Sequence, residues 1–183
     1  MKIFLIGYRA TGKTTVGRLL SRKLKVAFFD TDTIVEQTAG MPIKEIVVLE
    51  GWPSFRMKEK DAVQSLEQKD SCVVATGGGV ILNSENVDFF KRSGLSIWLN
   101  APLQDIIERL KRDALHEAKR PQFTAGNIVQ ETTEIMKQRL SLYERAANYT
   151  VDTLNKNPEQ IVEEIYQYLL KSGFLDKMTR NKN

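Results

Sequence analysis

Short apolar runs recur along this chain, and most are followed by a longer stretch in which apolar residues return every third or fourth position. The runs are "KIFLI" (2–6), "VAFF" (26–29), "CVVAT" (72–76), "LSIWL" (95–99) and "YTVD" (149–152). Four or five apolar residues bounded by glycine or polar residues suit strands, and the three-to-four spacing suits helices. Helices are expected over 13–24, 84–91, 102–112, 127–147 and 157–170. Another helical region covers 33–68, broken near "AGMP" and "EGWP", where glycine and proline interrupt the pattern. Strands alternating with helices predict a three-layer α/β/α domain around a five-stranded parallel sheet. Ligands of such folds bind beyond the carboxyl ends of the strands.

Composition narrows the partners. The 183 residues hold 42% hydrophobic and 27% charged side chains with a net charge of +4, an ordinary globular mix in one domain. There is no aromatic-studded basic strand and no clustered basic helix, so nucleic acid is not an expected partner. "KIFLI" is too short to cross a membrane or to form the core of a signal peptide. The single cysteine, Cys72, sits in an apolar run and reads as core, which suits the cytoplasm. With one histidine, His116, no Cys/His metal cluster can be assembled.

The oddities fall at strand ends. After the first strand, Gly7, Gly12, Lys13 and Thr14 match the G-x-x-x-x-G-K-[ST] phosphate loop, between an apolar strand and an amphipathic helix. Glycines let backbone N–H groups curl around a phosphate, and the helix N-terminus adds partial positive charge. Lys13 would reach the β- and γ-phosphates and the Thr14 hydroxyl would ligate Mg²⁺. The ATP-binding residues expected from this loop are Gly7, Ala10, Thr11, Gly12, Lys13, Thr14 and Thr15; Arg9 faces either the phosphate mouth or solvent. After the second strand comes "DTD": one of Asp30 and Asp32 could bind magnesium through water and the other orient a hydroxyl proton, although such residues also start helices. Glu59 falls on the apolar stripe of Phe55, Ala62, Val63 and Leu66, with Arg56 three residues before it, either a structural ion pair or an anchor for an anionic substrate. Arg139 lies on the apolar face of the long helix with Ile128, Ile135, Met136, Tyr143 and Ala146, and so needs an anion. "TGGG" ends the third strand, and Gly77, Gly78 and Gly79 there suggest close approach of backbone to a ligand. Arg120, in "KRPQF", lies in a charged stretch without pattern that suits a lid.

The phosphate loop, "DTD", "FR..E", "GGG", "RP" and "R..LY..A", in this order, resemble the shikimate kinases over about residues 1 to 170. The resemblance implies transfer of the ATP γ-phosphate to the 3-hydroxyl of shikimate, in chorismate and aromatic amino-acid synthesis, by a monomeric enzyme with sheet order 2-3-1-4-5. It implies Lys13, Asp32 and Arg120 as catalytic, Thr14 and Asp30 around the magnesium, and Asp32, Arg56, Gly77, Gly78, Gly79 and Arg139 around shikimate. Arg112 resembles the arginine that packs on adenine, and "NKNP", around Asn157, is similar to a second adenine-contacting loop, so Arg112, Arg120 and Asn157 are the ATP-binding residues expected from further along the chain. Acceptor-binding helices are expected at about 33–68, a lid at about 113–125, and a polar tail at 171–183. Trp52 and Pro53 stand where acids are common in the family. Nucleoside-monophosphate kinases and gluconate kinase share the fold, but a "DGxPR" segment is absent. A nucleotide-binding switch would keep the loop and have no use for Asp32, Arg56 and Arg139 together.

Overall fold

Strand β1 (Lys2–Ile6) is buried at every position, as a central strand of a doubly covered sheet must be. The structure, a computed structural model, describes residues 1–116 and 127–180. On either side of β1 lie β3 (Cys72–Ala75) and β4 (Gly94–Asn100), with β2 (Ala27–Asp30) and β5 (Tyr149–Asp152) outside them, in the parallel order β2-β3-β1-β4-β5. This is the expected fold and strand order.

Alternation along β1 divides the core into two halves. Ile3 and Leu5 point to one face, where they join Val16 and Leu20 of α1 (Lys13–Leu24) and Ile161, Ile165 and Leu169 of α7 (Pro158–Lys171). Phe4 and Ile6 point to the other, where they meet Val63 of α3 (Ile43–Gln64), Phe89 and Phe90 of α4 (Ser84–Ser93), and Tyr143 of α6 (Ile128–Ala146). Cys72 belongs to this second half, and burial pushes its thiol up to about 11, so it packs as an inert apolar group.

The interrupted region resolves into α2 (Thr31–Ala39) and α3. Gly40 caps α2 in the left-handed region at φ 69°, and Gly51 breaks α3 at φ 82°, with Pro53 in the first turn beyond the kink. Helix α5 (Leu103–His116) runs further than its apolar pattern, into the stretch expected to be irregular. The expected polar tail is also corrected. Phe174–Arg180 forms a helix, α8, that returns Phe174 and Met178 to the α1–α7 core, because two large apolar residues four apart make one apolar face. Phe174 is 6% exposed. Phe174→Ala should cost about 3 kcal/mol and lower the melting temperature by roughly 5–10 °C; an unchanged melting curve would mean that α8 does not dock.

Candidate active site

The loop after β1 encloses the Lys13 ammonium. Its Nζ donates to the carbonyls of Gly7 at 2.8 Å and Tyr8 at 2.6 Å, and Thr11 Oγ1 donates to the Tyr8 carbonyl at 2.8 Å. Two backbone features need small residues. Gly7 sits at φ 142°, where a Cβ would also lie 2.7 Å from the Leu99 carbonyl oxygen, and Ala10 adopts φ 61°. Gly12, at φ 91°, leads into α1, whose exposed N-terminus carries Thr14 and Thr15.

Asp30 ends β2 and caps α2: its Oδ1 accepts from the Asp32 N–H at 3.1 Å. Its Oδ2 accepts from Thr14 Oγ1 at 2.7 Å, so a hydroxyl and a carboxylate meet at the mouth of the loop. Such hard oxygen donors beside a phosphate cradle fit magnesium. Among the described residues no cluster of three or more His, Cys, Asp or Glu could hold a metal unaided. Thr31, between the aspartates, accepts from the Gly77 N–H at 3.0 Å, which ties the end of β2 to the glycine turn after β3.

Beside the loop lies an open cleft. Asp32, Arg56, Gly77, Gly78, Gly79 and Arg139 all line it, although they come from four separate segments. Arg56 Nη1 donates to Glu59 Oε2 at 2.7 Å, and the guanidinium lies over the rings of Phe55 at 5.0 Å and Trp52 at 5.5 Å. The Gly51 kink places Trp52 there, edge to face with Phe55, so the "EGWP" departure forms a wall of the cleft. A Cβ on Gly79 would come within 2.3 Å of Arg56 Nη1. Across the cleft, Arg139 Nη1 donates to the Gly78 carbonyl at 3.2 Å, and the Tyr143 hydroxyl donates to the same oxygen. Burial, and then the Arg56 charge, push the Arg139 guanidinium below its usual range, with Tyr143 acting against them. A cleft that holds the buried Arg139 guanidinium and a second guanidinium at Arg56 suits an anion.

The remaining expected residues lie apart. Arg112 is exposed on α5. Asn157 caps α7, where its side chain accepts from the Gln160 N–H at 2.8 Å. Arg120 lies outside the described residues. Three lining residues to which the sequence reading gave no site role are Tyr8, Ile43 and Phe55. Arg9 also lines the cleft and pairs with Glu131 Oε1 at 2.8 Å. Glu131 was readable: it stands three residues after Ile128 and four before Ile135, the same charge-on-a-stripe signal that marks Glu59 and Arg139.

Known proteins resemble this chain over most of its length. The family profile described as Shikimate kinase matches residues 9–170. The chain belongs to the shikimate kinase family. A shikimate kinase of Syntrophus aciditrophicus is 39% identical over 180 residues, covering 94% of this chain and 92% of its own. Shikimate kinase 2 of Serratia proteamaculans is 41% identical over 167 residues, covering 91% and 94%. The solved shikimate kinase of Acinetobacter baumannii, in complex with shikimate, superposes with a TM-score of 0.87 at 33% identity, covering 93% of each chain.

Within the family frame, Glu59 is the buried anchor of Arg56. Burial raises its carboxyl above the ordinary 4.5, and Arg56 offsets part of that rise. A carboxyl raised in the folded state favours folding in its protonated form. Its contribution is fully present below the unfolded value and is lost as pH rises through the folded one. Glu59→Gln removes this titration, so the variant's stability should fall less steeply than the wild type's as pH rises from 4.5, read by urea unfolding across a pH series. Parallel curves would show that the Glu59 carboxyl titrates alike in the folded and unfolded protein.

Proposed function

We propose that this chain is a shikimate kinase in the full sense: it transfers the γ-phosphoryl group of ATP to the 3-hydroxyl of shikimate, giving shikimate 3-phosphate and ADP. The observation that carries the reading is the convergence of Arg56, Arg139, Asp32 and the Gly77–Gly79 turn on one cleft beside the phosphate loop. Shikimate is a small carboxylate with several hydroxyls, and those groups suit its two ends.

Lys13 and the loop N–H groups hold the ATP phosphates and balance charge on the transferring group. Thr14 and Asp30 would hold magnesium, and magnesium there would supply further positive charge to the phosphates. Arg56 and Arg139 grip the acceptor carboxylate, with backbone N–H groups of the glycine turn beside them. Asp32 orients the acceptor hydroxyl and accepts its proton as the oxygen attacks phosphorus. No covalent intermediate is needed; the rate comes from positioning and electrostatic stabilisation. Arg120, which lies outside the described residues, is the further positive charge expected for the phosphoryl group, and the helices at about 33–68 form the acceptor half of the single domain. Arg112 and the Asn157 region flank the adenine. No helix among the described residues is long and apolar enough to cross a membrane; we place the enzyme in the cytoplasm, as a monomer.

The test is ADP release from Mg-ATP with shikimate, against quinate, gluconate and AMP. A saturable rate specific to shikimate is expected. A rate with another acceptor alone would keep the kinase and reassign the cleft, and a rate indifferent to acceptor would indicate a nucleotide switch. Two variants separate the halves of the site. Lys13→Ala should abolish turnover while shikimate still binds. Gly79→Ala should push the Arg56 guanidinium off Glu59, lowering the melting temperature as the buried carboxylate loses its partner and weakening shikimate binding by about tenfold or more through loss of that charged contact. Unchanged shikimate affinity in Gly79→Ala would remove Arg56 from the acceptor site.

A further inference from the structure

Tyr8 stands inside the phosphate loop, between Gly7 and Gly12, and no step above uses its side chain. Packing accounts for its ring, which lies in a cluster with Ala101, Ile106 and Leu110. Packing does not account for its oxygen. The residue is 1% exposed, and the hydroxyl is buried without a hydrogen-bond partner. Phenylalanine would fill the same space without that penalty, because a buried hydroxyl that bonds to nothing costs stability.

Tyr8 lines the cleft together with Arg139 and the glycine turn. It is close enough to Arg139 and to Tyr143 to act on the ionisation of both. Tyr143, the neighbouring phenol, has a different task. Its proton goes to the Gly78 carbonyl, which also takes a hydrogen bond from Arg139. A trans peptide points its C=O and N–H in opposite directions, so holding the Gly78 carbonyl from one side also fixes the direction of the Gly79 N–H. Tyr143 therefore holds the turn, and Tyr8 retains a proton to give. A carboxylate offers about four lone-pair sites, so it accepts from a phenol and from guanidiniums together.

We propose that Tyr8 is an acceptor-binding residue whose phenolic O–H donates to the carboxylate held by Arg139. The proposal rests on reading the cleft as the site of a carboxylate acceptor. It makes the phosphate loop a two-sided element: its backbone serves the donor phosphates, and one of its side chains serves the acceptor.

The test compares wild type with Tyr8→Phe by calorimetric titration with shikimate, by steady-state kinetics and by thermal unfolding of the free protein. Tyr8→Phe should bind shikimate about tenfold more weakly. Its KM for ATP should stay within about twofold, since the loop backbone is unaltered. The free variant should melt at the wild-type temperature or above it, because an unsatisfied hydroxyl has been removed. A hydroxyl with a purely structural bond would give the reverse, a lower melting temperature with unchanged affinity. With a shikimate analogue whose carboxylate is reduced to an alcohol, the difference between the two proteins should shrink. Wild-type shikimate affinity in Tyr8→Phe overturns the proposal and leaves the assignment of the cleft standing. Failure of the wild type to bind shikimate overturns both.

Discussion

The pairing of β1 with β3 sets the distance on which everything else depends. Leu5 lies opposite Ala75, and beyond that pair the Leu5 carbonyl accepts from both the N–H and the hydroxyl of Thr76. Two backbone turns therefore leave the sheet side by side: the phosphate loop from β1 and the glycine turn from β3. They touch so closely that a Cβ on Gly78 would stand 3.1 Å from the Arg9 backbone nitrogen. Phosphoryl transfer without a covalent enzyme intermediate depends on juxtaposition of donor and acceptor, and the strand register brings these two turns together.

Charge supplies the second constraint. Arg56 and Arg139 reach the cleft from different helices, and burial works against the Arg139 cation. Glu59, 1% exposed, holds Arg56 at a fixed end of the cleft, and one of its oxygens is buried without a partner. Buried charges of this kind are poor investments in stability alone. Their arrangement suits a cleft that takes an anion. The glycine turn serves the same end: side chains at Gly77 or Gly79 would run into the Glu59 carboxylate or the Arg56 guanidinium.

Those two constraints explain which features were legible in the sequence. The sheet could be read because a central parallel strand must be apolar on both faces, and the phosphate loop because its spacing and flanking elements occur together. Arg56, Glu59 and Arg139 could be read because a charge on an apolar stripe is a local anomaly. Helix α8 was missed because its two core residues are scattered among charges in a short segment, and its docking depends on a core assembled from α1 and α7. Asn157 drew attention through its motif, yet its side chain is occupied in a capping box. Tyr8 gave no local signal at all. A tyrosine beside a glycine looks ordinary until the tertiary structure leaves its hydroxyl without a partner.

Arg9, left open by sequence reasoning, links the two halves of the site. Its backbone nitrogen abuts the glycine turn, and its guanidinium meets Glu131 on α6, whose side chain is 1% exposed. Glu131 precedes Arg139 by eight residues, a little over two helical turns, so both face the same side of one rigid helix. The Arg9–Glu131 ion pair therefore ties the phosphate loop to the helix that carries Arg139. In the reading proposed above, that tie holds the donor side of the site against the acceptor side.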